Sequence, residues 1–221
     1  MKTCILMPSY NESRTIGGIV SEIKQMGFQV FVVDDGSIDD TGKIAADSGA
    51  IVMRHNKNLG KGASLKEGFN FILRTTNFDN VIIMDGDGQH NPKDIEKFVS
   101  YAEKNGSGII MGNRMTFTRD MPLIRLATNR FVSWLLSIVC RQNIPDTQCG
   151  FRLIGRKVLE KLTLESNKFD LESEMLIKAS RKKIKIDSVP IDTIYRNEDS
   201  RIHPLKDTFR FIILLIKSYF V

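Results

Sequence analysis

Short apolar runs alternate with amphipathic stretches through the first half of the chain. Such runs are typical of buried parallel strands, and the amphipathic stretches between them are typical of crossover helices. The pattern predicts buried strands at 3–7, 29–33, 50–53, 80–84 and 108–111, with helices at 13–26 and 60–74. Because ligands of such sheets bind beyond the carboxyl ends of the strands, the loops after Met7, Val33 and Met84 are the first places to look for a site.

This alternation stops after Met111. Residues 112–122 are irregular, and 125–141 predict a helix that is apolar on nearly every side, so we expect something other than water to cover it. The remaining predicted elements are a strand at 151–154, a helix at 171–182 and strands at 184–189 and 191–195. No repeat, linker or low-complexity tract divides the chain, which favours one domain over 1–221.

Composition narrows the class of protein without choosing its ligand. The 221 residues include 42% hydrophobic and 26% charged side chains, as globular proteins do, and the net charge of +6 favours anionic partners. Nucleic acid, nucleotides, phospholipid headgroups and phosphorylated substrates all fit that description. The three cysteines match neither a disulfide framework nor a zinc site, and the N-terminus has no signal-peptide pattern, so we expect a cytoplasmic protein.

The strongest candidate for chemistry follows the predicted strand 80–84. It is the run Asp85-Gly86-Asp87-Gly88-Gln89-His90, in which two carboxylates leave a strand end together. Such a pair supplies the hard oxygen ligands that Mg²⁺ and Mn²⁺ prefer, and the ion can also hold substrate phosphates. The alternative is a plain Asp-Gly turn. A calcium loop is excluded, because its sixth position is His90 in place of glycine and Pro92 lies inside it.

A second acidic cluster follows the predicted strand 29–33 and contains four aspartates. Asp39 and Asp40 are explained as caps of a helix that begins near Thr41. That explanation does not reach Asp34 and Asp35, whose carboxylates can accept hydrogen bonds from a nucleobase or a ribose. The neighbouring glycines match neither a P-loop nor a dinucleotide-binding fingerprint.

Seven motifs, taken in order, resemble those of glycosyltransferase family 2. They are Pro8-Ser9-Tyr10-Asn11-Glu12, Val33-Asp34-Asp35-Gly36-Ser37-x-Asp39-x-Thr41, Asn58-x-Gly60-Lys61-Gly62, Asp85-x-Asp87-x-Gln89-His90, Gly112-Asn113-Arg114, Asp146-Thr147-Gln148-Cys149-Gly150-Phe151-Arg152, and Tyr195-Arg196 through Ser200-Arg201. The resemblance covers nearly the whole chain. It is closest to the dolichyl-phosphate mannosyltransferase and polyprenyl-phosphate glycosyltransferase branch.

This resemblance implies an α/β protein of GT-A fold, with a mostly parallel nucleotide-binding sheet flanked by helices, that uses a nucleotide-sugar and Mg²⁺ or Mn²⁺. It implies a metal site at Asp85, Asp87 and Gln89. The residues that it implies around the nucleotide-sugar are Pro8, Tyr10, Glu12, Val33, Asp35, Lys61, Asp85, Gly86 and Asp87. It also implies phosphate contacts for Arg114, Arg196 and Arg201.

One motif of the wider family is missing. The processive polysaccharide synthases of the wider family carry Gln-x-x-Arg-Trp. The one tryptophan here, Trp134, lies instead inside the predicted apolar helix. Polymer synthesis is therefore not expected. Among the histidines, His90 beside the metal loop is the one to test, and His55 is predicted to be an ordinary loop residue.

The charges indicate how transfer would proceed. A cation at the Asp85 and Asp87 loop neutralises the leaving diphosphate. A lipid monophosphate is already largely dianionic at neutral pH, because its second pKa is about 6, and it therefore needs guanidinium groups more than it needs a base. The candidates are Arg114, Arg130, Arg196 and Arg201, for which ordinary solvated arginine is the alternative. Asp87, Arg114 and Asp146 are the catalytic candidates, with Asp146 either a base for a hydroxyl acceptor or a turn residue after Pro145.

We therefore expect an inverting, metal-dependent glycosyltransferase that moves a hexose from a donor of the GDP-mannose or UDP-glucose type to a polyprenyl or dolichyl phosphate. It would work as a peripheral protein on the cytoplasmic face of a membrane, with no nucleic-acid partner. Two alternatives stay open. One is a soluble transferase that acts on a sugar or protein hydroxyl, and the other is a catalytically silent nucleotide-binding scaffold.

The C-terminal residues 204–221 have the pattern of an interfacial helix. On a helix, Lys206, Arg210 and Lys217 fall on one narrow stripe, and apolar side chains occupy much of the remaining circumference. Such a helix can lie in the headgroup plane and form a membrane-facing C-terminal part of the fold. The alternatives are packing against the domain and the start of a membrane segment.

Overall fold

The computed structural model describes residues 1–116, 118, 121–167 and 170–192 of the chain. The strands in these residues are β1 Thr3–Ser9, β2 Gln29–Asp34, β3 Ile51–Arg54, β4 Asn80–Ile83, β5 Ile109–Asn113, β6 Arg152–Gly155 and β7 Ile186–Pro190. The helices in them are α1 Ile16–Gln25, α2 Thr41–Asp47, α3 Lys61–Thr75, α4 Ile95–Asn105, α5 Leu123–Cys140, α6 Arg156–Lys161 and α7 Asp170–Arg181, with a short 3-10 turn at Pro92–Asp94. The predicted alternation of strands and helices through the first half of the chain is confirmed.

The strands form one mixed sheet in the order β3-β2-β1-β4-β6-β5-β7. β1 pairs parallel with β2 and β4, whereas β6 lies antiparallel between β4 and β5. Because β6 runs in the opposite direction, its first residue, Arg152, pairs with Ile83 and Met111, near the carboxyl ends of β4 and β5. The segment before β6 therefore reaches the same edge of the sheet as the loops that follow β1, β2, β4 and β5.

Helices cover both faces of this sheet, and each face buries its own hydrophobic cluster. Along β1, Leu6 belongs to one cluster, and Ile5 and Met7 belong to the other. Since successive side chains of a strand point to opposite faces, a strand covered on both sides must be apolar throughout, which explains the continuous run in the sequence. The close approach of α3 to β1 requires Gly68, because a Cβ there would lie 2.4 Å from Leu6 Cδ1.

Two strand predictions need correction. The expectation that every early strand is buried is wrong for β3, whose Ile51 and Arg54 are exposed because β3 is an edge strand with a neighbour on one side only. The strand predicted at 191–195 is not formed at its first two positions, since Ile191 and Asp192 lie beyond the end of β7. Its other positions lie outside the described residues.

The predicted apolar helix is confirmed as α5, and its apolar side chains divide between two sides. Val132 and Leu136 are buried, whereas Leu123 and Trp134 are 82% and 59% exposed. Among the helices that the structure describes, none combines the length and the apolar character that crossing a membrane requires. The membrane-facing helix predicted at 204–221 lies outside the described residues and stays a prediction.

Candidate functional site

The loop after β4 carries the Asp85-x-Asp87 pair and is held in place by contacts with the end of β1 and the start of α1. Gly86 packs so closely on β1 that an added Cβ would lie 2.7 Å from Ser9 Oγ. The Thr15 hydroxyl donates to the Gly86 carbonyl at 2.6 Å, and the Asp87 carboxylate accepts from the backbone N–H of Gln89 at 2.9 Å. These contacts hold two partly exposed carboxylates at the carboxyl edge of the sheet.

A lysine ammonium lies against the first of these carboxylates. Lys61 Nζ is 2.6 Å from Asp85 Oδ1 and 3.2 Å from Glu172 Oε1, so it bridges the metal-loop candidate to α7. Burial by itself raises the pKa of the Asp85 carboxyl, but the Lys61 charge outweighs it and holds that pKa below its usual range. Asp85 is therefore ionised at neutral pH and already accepts a cationic partner.

The donor set of this loop fits a divalent ion. Mg²⁺ and Mn²⁺ are commonly held by one or two carboxylates together with substrate phosphates and water. Asp85 and Asp87 supply the carboxylates, and the partly exposed Gln89 supplies an amide oxygen nearby in the sequence. Within the described ranges, no three His, Cys, Asp or Glu side chains come together closely enough to form a complete protein cage for a metal. The arrangement suits an ion that arrives with a phosphorylated ligand.

The second acidic strand end differs from the first, because its carboxylates accept hydrogen bonds from backbone amides of the protein. The buried Asp35 accepts hydrogen bonds from the amide nitrogens of Leu59 and Gly60, each at 2.8 Å. Asp34 accepts from the Ser37 amide at 2.9 Å. These bonds fix the turns that follow β2 and precede α3, so Asp34 and Asp35 shape the walls of the predicted donor site.

His55 is the residue of this region that sequence reasoning missed. Its Nδ1 lies 2.6 Å from Asp35 Oδ1, and its Nε2 lies 2.6 Å from Glu67 Oε2. Burial lowers the pKa of this imidazole, but the two carboxylates outweigh burial and raise it above its ordinary value. His55 lies in a loop, as predicted, but its buried ring joins the end of β2 to α3, which the prediction missed. No local signal marked it, since its partners lie 20 and 12 residues away.

The loop after β1 is tied to the loop after β2. The backbone N–H of Asn11 donates to Ser37 Oγ at 3.0 Å, and the backbone N–H of Glu12 donates to Thr41 Oγ1 at 2.8 Å. Tyr10 and Glu12 are partly exposed beside these bonds. Pro8 and Val33 are buried partners in the pairing of β1 with β2, so they lie behind the loops. The sequence-predicted donor residues on β1 and β2 are thus brought together at one edge.

Arg114 and Asp146 form a buried ion pair at the end of β5. Arg114 Nε donates to Asp146 Oδ2 at 2.7 Å, and Nη2 donates to Oδ1 at 2.8 Å. The Arg114 backbone amide and the Asn129 side-chain amide donate to the same carboxylate at 3.0 and 2.7 Å. Burial raises the pKa of Asp146, but these donors outweigh it and hold the pKa below its usual range. Such a carboxylate is a weak base. Its hydrogen bonds to Arg114 instead favour a role in which Asp146 holds the guanidinium in position.

Among the other candidate residues, Arg130 is exposed on α5, whereas Arg196 and Arg201 lie outside the described residues. His90 is buried and its ring lies 5.1 Å from that of Phe151. Burial lowers the pKa of His90 to about 4, so this imidazole is neutral at physiological pH. Its position favours a packing role under the metal loop.

α5 has an inner polar row and an outer apolar face. Ser133 Oγ accepts from the Thr147 amide at 3.0 Å, and Ser137 Oγ accepts from the Ile144 amide at 3.0 Å. These bonds attach α5 to the segment that carries Asp146. The outer face presents exposed apolar side chains: Leu123, Ile124, Phe131, Trp134, Ile138 and Val139. One helix thus connects an exposed apolar surface to the Arg114 pair.

Comparison with known proteins finds relatives that are similar in sequence and solved structures that are similar in fold. The chain is 27% identical to the UDP-N-acetylglucosamine–dolichyl-phosphate N-acetylglucosaminyltransferase of Methanococcus voltae, over 86% of this chain and 85% of that protein. It is 30% identical to the polyprenol monophosphomannose synthase of Mycolicibacterium smegmatis, over 75% and 66% respectively.

The fold is similar to that of glucosyl-3-phosphoglycerate synthase from Mycobacterium tuberculosis, crystallised in complex with Mn²⁺, UDP and phosphoglyceric acid. The TM-score is 0.74 at 20% identity, and the similarity covers 99% of this chain and 77% of that one. This confirms the predicted GT-A fold. Residues 4–163 match the family described as Glycosyl transferase family 2. The chain belongs to glycosyltransferase family 2.

Proposed function

We propose that this protein is an inverting glycosyltransferase that moves a hexose from a nucleoside-diphosphate sugar to a polyprenyl phosphate. The observation that carries the proposal is the meeting of the Asp85-x-Asp87 loop, Lys61 and the Arg114 segment at the carboxyl edge of one sheet. Transfer breaks the bond from the hexose to the diphosphate and forms one to the monophosphate, so cationic or metal-binding groups are needed on both sides of the hexose.

On the donor side, Asp85, Asp87 and Gln89 would hold a divalent ion. When bound, Mg²⁺ or Mn²⁺ acts as a Lewis acid that neutralises the leaving diphosphate. The wall formed by Pro8 and Val33 and the loops that carry Tyr10, Glu12 and Asp35 would hold the nucleoside. Lys61, at the first position of α3, would contact the diphosphate.

On the acceptor side, the chain's own contribution is guanidinium rather than a base. A phosphate monoester is a nucleophile without proton removal, because its second pKa is about 6. The low pKa of Asp146 and its four hydrogen bonds agree with such an acceptor, since a hydroxyl would need a stronger base. Arg114, oriented by Asp146, would meet the phosphate with Arg130, Arg196 and Arg201.

The acceptor's lipid tail calls for an apolar surface, and the outer face of α5 offers one. A cluster of large exposed apolar side chains on one helix is unusual for a surface that meets water only. We place this face, together with residues 204–221, against the cytoplasmic leaflet of a membrane. The inner row of α5 would then keep the Arg114 pair near the lipid surface.

A transfer assay tests this function. The purified chain would be incubated with Mn²⁺ and one of the labelled donors GDP-mannose, UDP-glucose or UDP-N-acetylglucosamine, in micelles that contain either a polyprenyl phosphate or the matching polyprenol. We expect label to enter the organic phase with at least one donor and with the phosphate only. Equal labelling of the polyprenol would contradict the phosphate acceptor, and hydrolysis or no labelling with every donor would contradict the transferase.

A further inference from the structure

We infer that Lys61 is a resident counter-ion that competes with the divalent metal for Asp85 and so makes metal and nucleotide bind together. The inference rests on the proposed metal site and goes beyond a contact between Lys61 and the diphosphate. It assigns Lys61 a second partner in the ligand-free protein, and it predicts that the metal alone binds weakly.

The geometry supports competition, because the ammonium occupies a coordination position of the candidate ligand. Lys61 Nζ lies 2.6 Å from Asp85 Oδ1, so the ammonium fills space beside the oxygen that Mg²⁺ would bind at about 2.1 Å. A divalent ion placed on that oxygen would lie against a like charge. Glu172 Oε1, 3.2 Å from the same ammonium, anchors Lys61 there.

The surroundings leave the pair little room to rearrange in place. A Cβ on Gly150 would lie 2.4 Å from Asp85 Oδ2 and 2.9 Å from Lys61 Nζ. The segment before β6 therefore lies directly over the ion pair, and Lys61 is largely buried under it. Asp85 and Lys61 can both bind new partners only if the flexible Lys61 side chain rotates and carries its ammonium away from Asp85.

A nucleotide supplies the reason for such a move. Its diphosphate is a stronger anionic partner for Lys61 than one carboxylate, and it lies where the metal needs oxygen ligands. When the ammonium turns to the diphosphate, Asp85 becomes available to the metal. Each ligand then raises the affinity for the other by the same factor, as linkage requires.

The test measures Mn²⁺ binding directly, from the loss of the free-ion signal in electron paramagnetic resonance, with no turnover involved. Three proteins would be titrated: the unaltered chain, Lys61→Met and Lys66→Met. Lys66 is a matched control because it lies on the same helix, carries the same charge and bonds the Glu165 carbonyl at 2.8 Å instead of Asp85. Each titration would be repeated with UDP and with GDP, after subtraction of the binding of Mn²⁺ to free nucleotide.

We expect Lys61→Met to bind Mn²⁺ alone about tenfold more tightly than the unaltered chain, which corresponds to about 1.4 kcal/mol. Lys66→Met should stay within about twofold of the unaltered chain, because exposed charges at a distance are screened. The increase in Mn²⁺ affinity that UDP or GDP produces should be smaller in Lys61→Met than in Lys66→Met. If Lys61→Met does not fold, Lys61→Gln removes the charge while keeping a hydrogen-bonding side chain, and the same shifts are expected.

The outcomes separate this inference from the proposed function. Equal Mn²⁺ affinity of Lys61→Met and Lys66→Met, with either nucleotide still increasing the affinity of the unaltered chain, would overturn the counter-ion role and leave the metal site standing. Absence of Mn²⁺ binding to the unaltered chain with both nucleotides would overturn the proposed metal site and the inference with it.

Discussion

Two strand ends of this protein carry neighbouring or alternating aspartates, and the structure uses them in different ways. At the end of β2, Asp35 is buried, and its oxygens accept hydrogen bonds from two backbone amides and contact the His55 ring nitrogen. At the end of β4, Asp85 is partly exposed and accepts the ammonium of Lys61. The first carboxylate holds the neighbouring loops in place, whereas the second holds a charged side chain that we propose a ligand replaces. Acidic residues at a strand end are therefore not equivalent, and the groups that donate hydrogen bonds to them distinguish them.

The largest expected effect is the loss of transfer activity when the loop at the end of β4 is altered. Asp87→Asn removes one charge from the proposed metal site, and we expect transfer activity to fall by about a hundredfold or more, since loss of a charge-stabilising group costs that much in many enzymes. The melting temperature should change little, because Asp87 is partly exposed. Asp47→Asn, at an exposed position of α2, is the charge-matched control and should keep full activity. Unchanged turnover of Asp87→Asn with Mn²⁺ as the sole divalent ion would refute the assignment.

A variant at the end of β2, Asp35→Asn, should lower the free energy of unfolding. Asp35→Asn takes the carboxylate away from His55 and from the backbone amides of Leu59 and Gly60. Removal of one partner from such a buried network costs about 3 kcal/mol. Urea unfolding measures this loss. Asp85→Asn is the comparison, and its cost should be smaller, since Lys61 keeps Glu172 as a partner. Equal losses for the two variants would erase the distinction between the strand ends.

A third variant sharpens the comparison without touching a charge. Gly150→Ala places a methyl group against Asp85 and Lys61, and we expect transfer activity to drop about tenfold, as small displacements of catalytic groups do. Gly18→Ala on α1 is the control, because nothing lies within 4 Å of its added Cβ, and it should gain about 0.5–1 kcal/mol of helix stability. Full activity of Gly150→Ala would show that the pair has room to spare.

The smallest expected effect concerns pH and the β2 end. The pKa of His55 is raised in the folded protein, so its contribution to the free energy of unfolding is fully present below the unfolded value of about 6.5 and is lost as the pH rises through the folded value. Comparison of the chain with His55→Gln by urea unfolding, from about pH 6 to about pH 9, should show a stability difference that shrinks with pH. A difference that stays constant or grows would contradict a charged His55.

The sequence was informative about elements and about the strand ends at which polar residues gather. Apolar runs located the strands. The Asp85-x-Asp87 and Asp34-Asp35 motifs lie at one edge of the sheet, as expected, because the carboxyl ends of β1, β2 and β4 meet there. The burial of β3 was mispredicted since an apolar run does not reveal which strand lies at the edge.

The partners of the candidate residues were beyond reach of the sequence. Arg114 and Asp146 are 32 residues apart and meet because β6 runs antiparallel between β4 and β5, an order that no local pattern specifies. The same holds for Lys61 and Asp85, which come from a helix start and a strand end. A residue's chemistry was predictable from its type, and whether it was committed to a protein partner depended on the tertiary fold.

Metal depletion of the transfer reaction tests most directly whether a divalent ion held at the end of β4 is needed for transfer. The chain would be treated with a chelator, desalted, and supplied with donor and polyprenyl phosphate, and Mn²⁺ would then be titrated back into the unaltered chain and into Asp85→Asn. We expect transfer to stop on depletion, to return with Mn²⁺ in the unaltered chain, and not to return in Asp85→Asn at the same concentrations. Transfer that continues after depletion, or that Asp85→Asn recovers equally, would contradict a metal held at the end of β4.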